Sequence, residues 1–581
     1  MKKRTQTLFC VMMFLSEVAS AQSSSLQHTW VFFCDKGTTT LQSTNPVLLG
    51  ISERALKRRT KVLPPDRLID QLDLPVSEAV IAQIKQTGVK IRTISRWLNA
   101  VSVEGTQQQI QAINKLLPVA ATEQVIAMNH PRPVPSSSVP PTPLFKKALG
   151  SQGLDYGPSA TQLTNMKVVD LHAIGIIGTG ILIGMLDDGF NNYRTHEALK
   201  NIKIVADSDF IHNISDVNRQ SWENSEQGNH GAGTLSAVGG FAPGQLIGAA
   251  YGASFLLAKT EMDSSGSVDF HSEEDTYVAG LEWAERLGAD ITSSSLAYKD
   301  FAPPPTYTTS DMNGRTTKVA QAAVIASRKG VLVVTAMGNE GYLNNQGFHA
   351  DTTLWSPADA DSIISVGAAA SDGELASWSS CGPTSDGRIK PEVIAQGMAV
   401  YWADGSTTTG YSLVDGTSCS TPLVAGAAAL VLSAHPELTN MQVRQALLQT
   451  ARHINDSTIQ TTVYPNNYYG HGFVDAFAAA MYDGQITPIV NKLYQNFPNP
   501  FNRANPTKLT FQVPMPTDVE LVVFNLLGQR VKTIYRGQVF SSDTKQWDGT
   551  DDRGRQVAAG VYFARLKTPN NMFSIKMLYL K

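Results

Sequence analysis

Two hydrophobic patterns alternate in the centre of the chain, from about residue 155 to 480. Short continuous apolar runs such as Ile181–Leu186 and Val331–Val334 predict buried strands. Between them, Thr276–Leu287 and Lys318–Arg328 have the amphipathic spacing of helices. This alternation predicts an α/β fold with a mostly parallel sheet and helices on both faces. In such sheets, functional residues gather at the carboxyl ends of the strands.

A smaller α+β unit is predicted before this region. Glu78–Gln86 and Gln107–Leu117 have helical periodicity, whereas Val89–Ile94 and Ala100–Val103 have the pattern of strands. The stretch 131–143 then contains six prolines. It predicts an extended, exposed linker that is open to proteolysis.

A third pattern begins near residue 488. Leu509–Val513, Val519–Phe524 and Val561–Leu566 alternate apolar and polar residues, and glycine-containing turns separate them. This pattern predicts a small antiparallel β-sandwich.

The amino terminus has the features of an export signal. Lys2, Lys3 and Arg4 precede the mainly apolar stretch Leu8–Val18, and Ala19-Ser20-Ala21 fits a cleavage site. A membrane anchor would need about 20 apolar residues. We therefore expect a cleaved signal peptide at residues 1–21 and a secreted or cell-surface protein.

Composition narrows the class of protein. Of the 581 residues, 42% are hydrophobic and 17% are charged, which excludes wholesale disorder. The net charge of −3 argues against a nucleic-acid partner bound through a broad basic field. Four cysteines without a C-x-x-C pair do not indicate a thiolate metal site. Whether Cys381 and Cys419 pair is open, because the sequence does not supply the geometry.

Three motifs lie where the pattern places strand ends and helix starts. They are Leu186-Asp187-Asp188-Gly189, then HGAGT from His230, then GTSCSTP around Ser418 ahead of an apolar helix. We expect the glycines that adjoin His230 and Ser418, Gly231 and Gly416, to permit close backbone packing. A serine at a helix N-terminus has a free backbone N–H and a positive dipole nearby, which suits an oxyanion.

These motifs resemble those of subtilisin-like serine proteases (subtilases). Four further segments are similar to that family and occur in its order: 294–298, 336–341, 379–393 and 469–476. The resemblance implies a subtilisin-like fold and a serine endopeptidase that works through an acyl-enzyme. It also implies that Ser418 is the nucleophile, His230 the general base and then acid, and Asp187 the residue that orients His230.

The resemblance assigns further roles in substrate binding. Asn339 would donate its side-chain N–H to the oxyanion, together with the backbone N–H of Ser418. Ser295, Leu296 and Ala297 would pair by backbone with an extended peptide.

Some residues depart from the family pattern. Asp188 follows Asp187 where Thr or Ser is usual, and a turn carboxylate is the simpler interpretation. Ala297 replaces a common Gly, which makes the cleavage preference hard to transfer. No cofactor or metal is required, although the acidic loops Asp207–Asp216 and Glu261–Asp275 could hold structural calcium.

The flanking units carry resemblances of their own. Residues 22–150, with SRWLNAVSV from Ser95, resemble a subtilase propeptide that inhibits the enzyme until it is cleaved; a separate accessory domain is the alternative. Residues 490–581, with YQNFPNPFN from Tyr494 and GVYF from Gly560, resemble a type A sorting domain of type IX secretion substrates. A sandwich that binds substrate or carbohydrate is the alternative.

The sequence thus predicts a pre-pro-enzyme with four parts. They are a signal peptide (1–21), a propeptide with its linker (22–150), a catalytic domain (151–484) and a sorting domain (490–581). The expected partners are protein or peptide substrates, the propeptide itself and an outer-membrane secretion machinery, and we expect a monomer. The alternative function is a catalytically inactive subtilase fold that serves as a surface adhesin or binding protein.

Overall fold

The computed structural model of the chain describes eleven stretches. They are residues 26–37, 45–125, 134–135, 154–262, 273–298, 307–455, 463–482, 491–513, 517–539, 542–569 and 571–580. The predicted signal peptide and most of the proline-rich linker lie outside these residues.

The N-terminal unit is a four-stranded antiparallel sheet in the order β2-β3-β1-β4 with helices packed on it. Its elements are β1 (Gln27–Phe33), α1 (Glu53–Arg59), α2 (Glu78–Gln86), β2 (Lys90–Ser95), β3 (Ala100–Gly105), α3 (Gln107–Ile113) and β4 (Val119–Gln124). The predicted α+β unit is confirmed, although α3 ends four residues earlier than its periodicity suggests. A two-residue strand, β5 (Val134–Pro135), follows from the linker.

The central unit is built on a seven-stranded sheet in the order β14-β13-β12-β11-β6-β10-β7, and every neighbouring pair is parallel. Its strands are β6 (Leu182–Asp187), β7 (Lys203–Asp209), β8 (Phe241–Ala242), β9 (Leu246–Ile247), β10 (Ser254–Lys259), β11 (Ile291–Ser294), β12 (Leu332–Ala336), β13 (Ile364–Ala369), β14 (Val393–Gln396), β15 (Val400–Ala403) and β16 (Tyr411–Asp415). Its helices are α4 (Ala160–Asn165), α5 (Val168–Ala173), α6 (Asn229–Gly239), α7 (Glu273–Leu287), α8 (Lys318–Arg328), α9 (Thr417–Ala434), α10 (Asn440–Gln449) and α11 (Ala476–Ala480). The predicted α/β fold with a parallel sheet is confirmed.

The strand order brings distant motifs to one edge of this sheet. Strands β6 and β11 are neighbours, and Leu186 pairs with Ser294. Asp187 and Ser295 therefore leave the sheet side by side. From β6 the chain crosses to the edge strand β7, returns to β10 beside β6, and then continues on the other side of β6 through β11 to β14. The direction of winding reverses between β6 and β11, so this edge is a topological switch point.

Helix α9 forms much of the core beneath this edge. Sixteen of its residues, Thr417 to Leu432, are buried. The helix can be buried on all sides because its own alanine, valine and leucine side chains occupy every face. Among the described residues, it is the one helix with the length and apolar composition of a membrane span, and most of it is buried inside the protein. The motif around Ser418 was expected ahead of the helix, but α9 begins inside it at Thr417, so Ser418 lies in the first turn.

The C-terminal unit is an antiparallel sandwich, as predicted. One sheet has the order β17-β18-β21 and the other the order β20-β19-β22-β23. The strands are β17 (Lys492–Leu493), β18 (Thr507–Gln512), β19 (Thr517–Asn525), β20 (Arg530–Val539), β21 (Ser542–Trp547), β22 (Gly560–Lys567) and β23 (Met572–Tyr579). Buried side chains of both sheets, including Trp547 and Tyr579, form a core of their own.

The N-terminal unit packs against helix α7 of the central unit. Glu282 on this helix accepts hydrogen bonds from the backbone N–H groups of Arg96 and Trp97, both at 3.2 Å. One turn further, Glu285 accepts from Arg59 at 2.7 and 2.9 Å and pairs with Arg58. A row of carboxylates on one helix thus holds two separate segments of the N-terminal unit.

Candidate active site

Asp187 and His230 are in direct contact. Asp187 ends β6 with its side chain 1% exposed, and His230 is the second residue of α6. The Nδ1 atom of His230 lies 2.6 Å from Oδ1 of Asp187. The hydroxyl of Thr234, one turn along α6, donates to Oδ2 at 2.9 Å. The Asp187 carboxylate therefore contacts two side chains of α6, the His230 ring and the Thr234 hydroxyl, and these contacts orient the imidazole.

The Asp188 side chain binds backbone N–H groups at the start of the same helix. Its carboxylate accepts hydrogen bonds from the N–H groups of Gly228 at 3.0 Å and Gly231 at 2.9 Å, on either side of His230. These donors have no carbonyl partner within the helix, so the carboxylate caps its N-terminus. Burial and the neighbouring Asp187 raise the pKa of the Asp188 carboxyl above its usual range. Asp188 is thus a buried helix cap, which goes beyond a simple turn carboxylate.

Ser418 is the second residue of α9 and its side chain reaches the edge of the parallel sheet. The hydroxyl donates to the carbonyl of Ser295 at 3.1 Å, and the hydroxyl of Ser295 donates back to the carbonyl of Ser418 at 2.9 Å. Because Ser418 lies in the first turn, its backbone N–H has no partner within the helix. The serine is therefore joined directly to the segment that was predicted to bind substrate.

Asn339 lies beside the start of α9. Its Oδ1 atom accepts from the backbone N–H and from the hydroxyl of Thr417, both at 2.9 Å. With the oxygen held in this way, the NH₂ group is the free end of the amide. Asn339 and Ser418 line the same cavity, so this arrangement can present an N–H donor to a ligand beside the serine.

A cavity of about 480 Å³ connects these residues. His230, Ser418, Asn339, Ser295, Leu296 and Ala297 all line it. Asp187 lies behind His230, so the structure brings together every residue that the sequence singled out. Strand β5 pairs antiparallel with β16, where Val134 lies opposite Asp415 and Pro135 opposite Val414, another residue of the cavity wall.

The two motif glycines, Gly231 and Gly416, differ in how closely other atoms approach them. A Cβ atom at Gly231 would lie 2.0 Å from the carbonyl oxygen of Gly189 and 2.9 Å from Asp187, as expected. The expectation for Gly416 is wrong, because a Cβ atom there would approach other atoms only to 3.6 Å, an ordinary contact. Its φ of 161° is extended backbone that any residue adopts.

Three supporting residues were missed from the sequence. Thr234 and Thr417 lie inside the quoted motifs, so their hydroxyls were visible but had no assigned role. Trp402 packs edge-on against the ring of His230, with 5.6 Å between ring centroids and planes at 90°. It also occupies the space that a Cβ atom at Gly233 would need, at 2.5 Å. No local pattern marks Trp402, because its contact is made across the fold.

The acidic loop Asp207–Asp216, which could hold structural calcium, supplies two members of one cluster of possible ligands. Asp209, His212 and Glu223 have ligand atoms within 4.8 Å of one another. However, the Lys259 ammonium lies 2.5 and 2.7 Å from the Glu223 carboxylate and 3.4 Å from Asp209. A buried lysine thus already neutralises this cluster. The second predicted loop, Glu261–Asp275, lies mostly outside the described residues.

The question of a disulfide is answered by the structure. Cys381 and Cys419 are both buried free thiols. Burial raises the pKa of both thiols well above the usual range. Cys419 therefore acts as a small packing residue beside Ser418.

Comparison with known proteins agrees with this arrangement. The model of the subtilase family matches residues 178–472, and that of the Peptidase S8 propeptide domain of Bacteroidota matches residues 28–138. Subtilisin DY of Bacillus licheniformis is 32% identical over 315 residues, which are 54% of this chain and 96% of that protein. Subtilisin E of Bacillus subtilis (strain 168) is 29% identical over 401 residues, 68% of this chain and 84% of that protein. Subtilisin of Bacillus pumilus is 31% identical over 334 residues, 57% of this chain and all of that protein.

The fold and these matches define a serine endopeptidase with its own propeptide domain. The chain belongs to the subtilase family.

Proposed function

We propose that this endopeptidase cleaves peptide bonds through Asp187, His230 and Ser418, with an acyl-enzyme intermediate. His230 takes the proton of the Ser418 hydroxyl as the oxygen attacks the substrate carbonyl, and returns it to the leaving amine. Asp187 holds Nδ1 and stabilises the imidazolium. The observation that carries the proposal is the 2.6 Å contact between Asp187 and His230 on the wall of the cavity that contains Ser418.

The remaining predicted residues bind the substrate. Asn339 and the backbone N–H of Ser418 donate to the oxyanion of the tetrahedral intermediate. The backbone of Ser295–Ala297 pairs with the extended peptide on the amino-terminal side of the scissile bond. The orientation of the Asn339 amide, fixed by Thr417, supports this role.

The same proposal covers the other parts of the chain. Residues 1–21 direct export, residues 22–150 inhibit the zymogen, residues 151–484 form the catalytic domain, and residues 490–581 direct passage across an outer membrane. The enzyme acts as a monomer at the cell surface or in the medium. The motifs at Tyr494 and Gly560 support the sorting role. The alternative of an inactive adhesin has no specific observation in its favour.

Labelling with a fluorophosphonate probe tests the catalytic proposal. Processed protein should be labelled at Ser418 and should hydrolyse denatured casein. The Ser418→Ala variant should lose the label and about 10⁶-fold in turnover, which is the loss that removal of the nucleophilic serine causes in subtilisin. Correctly folded and processed protein that takes no label would refute the assignment of the nucleophile.

A further inference from the structure

The cavity beside Ser418 is strongly acidic, in contrast to the near-neutral chain. Its wall contains four carboxylate residues, Asp188, Glu226, Glu261 and Asp404. Among the described residues that line the cavity, His230 is the only basic side chain. Asp188 is occupied as the cap of α6 and its raised pKa disfavours the charged form, so the negative charge that a substrate meets comes from Glu226, Glu261 and Asp404. The cavity is a peptide site for reasons independent of this charge, since it contains the candidate nucleophile of a subtilase.

Glu261 is the most deeply placed of these carboxylates. It is 1% exposed and follows β10, whose last residue, Lys259, lies opposite Asp187. Its carboxylate accepts a hydrogen bond from the hydroxyl of Tyr298, the residue after Ala297. Glu261 therefore lies between the wall that bears His230 and the segment that we propose binds the peptide.

Backbone contacts join Glu261 to the acidic residue beside the catalytic wall. The side-chain amide of Gln227 donates to the carbonyl of Glu261 at 2.7 Å and to the carbonyl of Asp188. One amide group can reach both carbonyls only if the two residues are neighbours in space. Two acidic residues from different loops thus adjoin each other on one side of the cavity.

Successive side chains of an extended peptide point to opposite sides, which decides the substrate residue that faces this wall. On the proposed function, the residue at the scissile bond (P1) lies by Ser418 and Asn339, with Ala336 and Gly338 beside it. The preceding residue (P2) then points the other way, towards His230 and Glu261. We propose that Glu261 selects a lysine or arginine at P2.

The physical basis is an ion pair in a sheltered cavity. A carboxylate that is almost fully buried interacts with a cation far more strongly than a carboxylate in water. A charge-assisted hydrogen bond to an ammonium or guanidinium group adds directional preference. A neutral side chain of the same length would leave the carboxylates without this compensation.

The sequence offers one such substrate within the chain itself. Lys146 and Lys147 are the only basic residues between Arg132 and Lys167, in the segment that joins the propeptide match to the catalytic match. With Lys146 at P2, the enzyme would cut its own precursor after Lys147. With Lys147 at P2, it would cut after Ala148. Both products are consistent with removal of the propeptide just after the proline-rich stretch.

The test uses peptide p-nitroanilides that differ only at P2, which is lysine, arginine, norleucine or glutamate. The mature enzyme should show kcat/KM for lysine and arginine at least 10-fold above norleucine, and for glutamate below it. EDTA is present throughout, so that a metal ion cannot bridge carboxylates. The ratio of lysine to norleucine should also fall when salt is added, because salt screens the ion pair.

The decisive variant is Glu261→Gln, which keeps an oxygen to accept from Tyr298. The ratio of kcat/KM for the lysine peptide to kcat/KM for the norleucine peptide should drop to about 3 or less. Because both values are measured on the same variant, their ratio cancels any general loss of activity. Asp372→Asn removes an exposed carboxylate elsewhere and should leave the ratio unchanged. A wild-type ratio near one, a preference confined to another substrate position, or a ratio that survives Glu261→Gln would overturn the inference. Failure of the catalytic proposal differs from all of these, because then the norleucine peptide is not cleaved and Ser418 takes no label.

Discussion

Asp187 and Asp188 are consecutive carboxylates with different tasks at the end of one strand. Asp187 contacts the ring of His230, whereas Asp188 contacts the backbone on both sides of that residue. The first contact orients the imidazole and the second positions the helix that carries it. The additional acidic residue in the motif is therefore explained by structure, although the sequence alone left it as a turn residue.

The variant Asp188→Ala tests this positioning role. It removes the acceptor for both N–H groups, so we expect kcat to fall by about 10-fold or more while KM changes little, because a lost cap costs roughly 1 kcal/mol and tilts α6. Asp188→Asn keeps one acceptor oxygen and should recover part of the loss. Steady-state kinetics on a neutral peptide give the comparison. A wild-type kcat in the alanine variant would contradict the role.

At the scale of elements, helix α7 connects the propeptide domain with the catalytic domain. Burial alone would raise the pKa of Glu285, but Arg58 and Arg59 outweigh it and lower that pKa. Arg59 is fully buried and also pairs with Asp73, at 2.9 and 3.0 Å. The contact between the domains is therefore a buried ionic network on one helix.

Arg59→Ala should loosen this contact. Breaking a buried pair costs about 3 kcal/mol at the lower end of its usual range, and the lower end applies because Arg58 and Lys329 still neutralise part of the network. Amide hydrogen exchange in α1 and α7 should become about 10²-fold faster, measured in the uncleaved Ser418→Ala protein. Arg67→Ala, an exposed arginine in the same unit, is the matched control. If the two variants exchange alike, the network does not hold the domains together.

A second network ties β13 to helix α10 through Glu392. Burial opposes its ionisation, but Lys390, Arg444 and hydrogen bonds from Ser365 outweigh this and lower the pKa of Glu392 to about 2. A depressed carboxyl pKa adds stability above the unfolded value of about 4.3, and this stability is lost as pH falls through the folded value. The difference between the unfolded pKa of about 4.3 and the folded pKa of about 2 corresponds to about 3 kcal/mol at neutral pH.

Glu392→Gln should therefore lower the thermal midpoint at pH 7 and lower it much less at pH 2. The measurement is thermal unfolding of the Ser418→Ala protein across this pH range, compared with the same protein without the change. Glu374→Gln, at an exposed carboxylate, should follow the parent at every pH. An equal deficit for Glu392→Gln at pH 7 and pH 2 would show that ionisation is not the cause.

At the scale of the whole molecule, the C-terminal sandwich has a core made only of its own residues. A unit of this kind can be removed without opening the catalytic core. The sorting proposal then separates two properties that belong to different units: peptide hydrolysis and passage across the outer membrane.

Deletion of residues 491–581 tests this separation. The shortened precursor should keep kcat/KM for a peptide within about 3-fold but should stay inside a host that has type IX secretion. Fractionation of medium and periplasm, with the full chain as control, gives the result. Export of the shortened chain would contradict the sorting role, whereas loss of hydrolysis would show that the sandwich supports the enzyme.

The sequence by itself determined the order and type of the main elements. Buried strands such as β6 and helices such as α8 were predicted almost to the residue, because periodicity is a local property. The motifs around Asp187, His230 and Ser418 also lie in short stretches of sequence, so their chemical roles could be predicted without knowledge of the fold. The subtilase family followed from these motifs.

Only the tertiary structure decided which groups meet. The cap formed by Asp188, the packing of Trp402 on His230 and the lysine inside the Asp209 cluster join residues that are far apart in sequence. The same holds for Glu261, which became a candidate for substrate selection only when the fold placed it on the wall of the cavity. Charge and contact in a cavity depend on how distant segments pack, and composition averages over that arrangement.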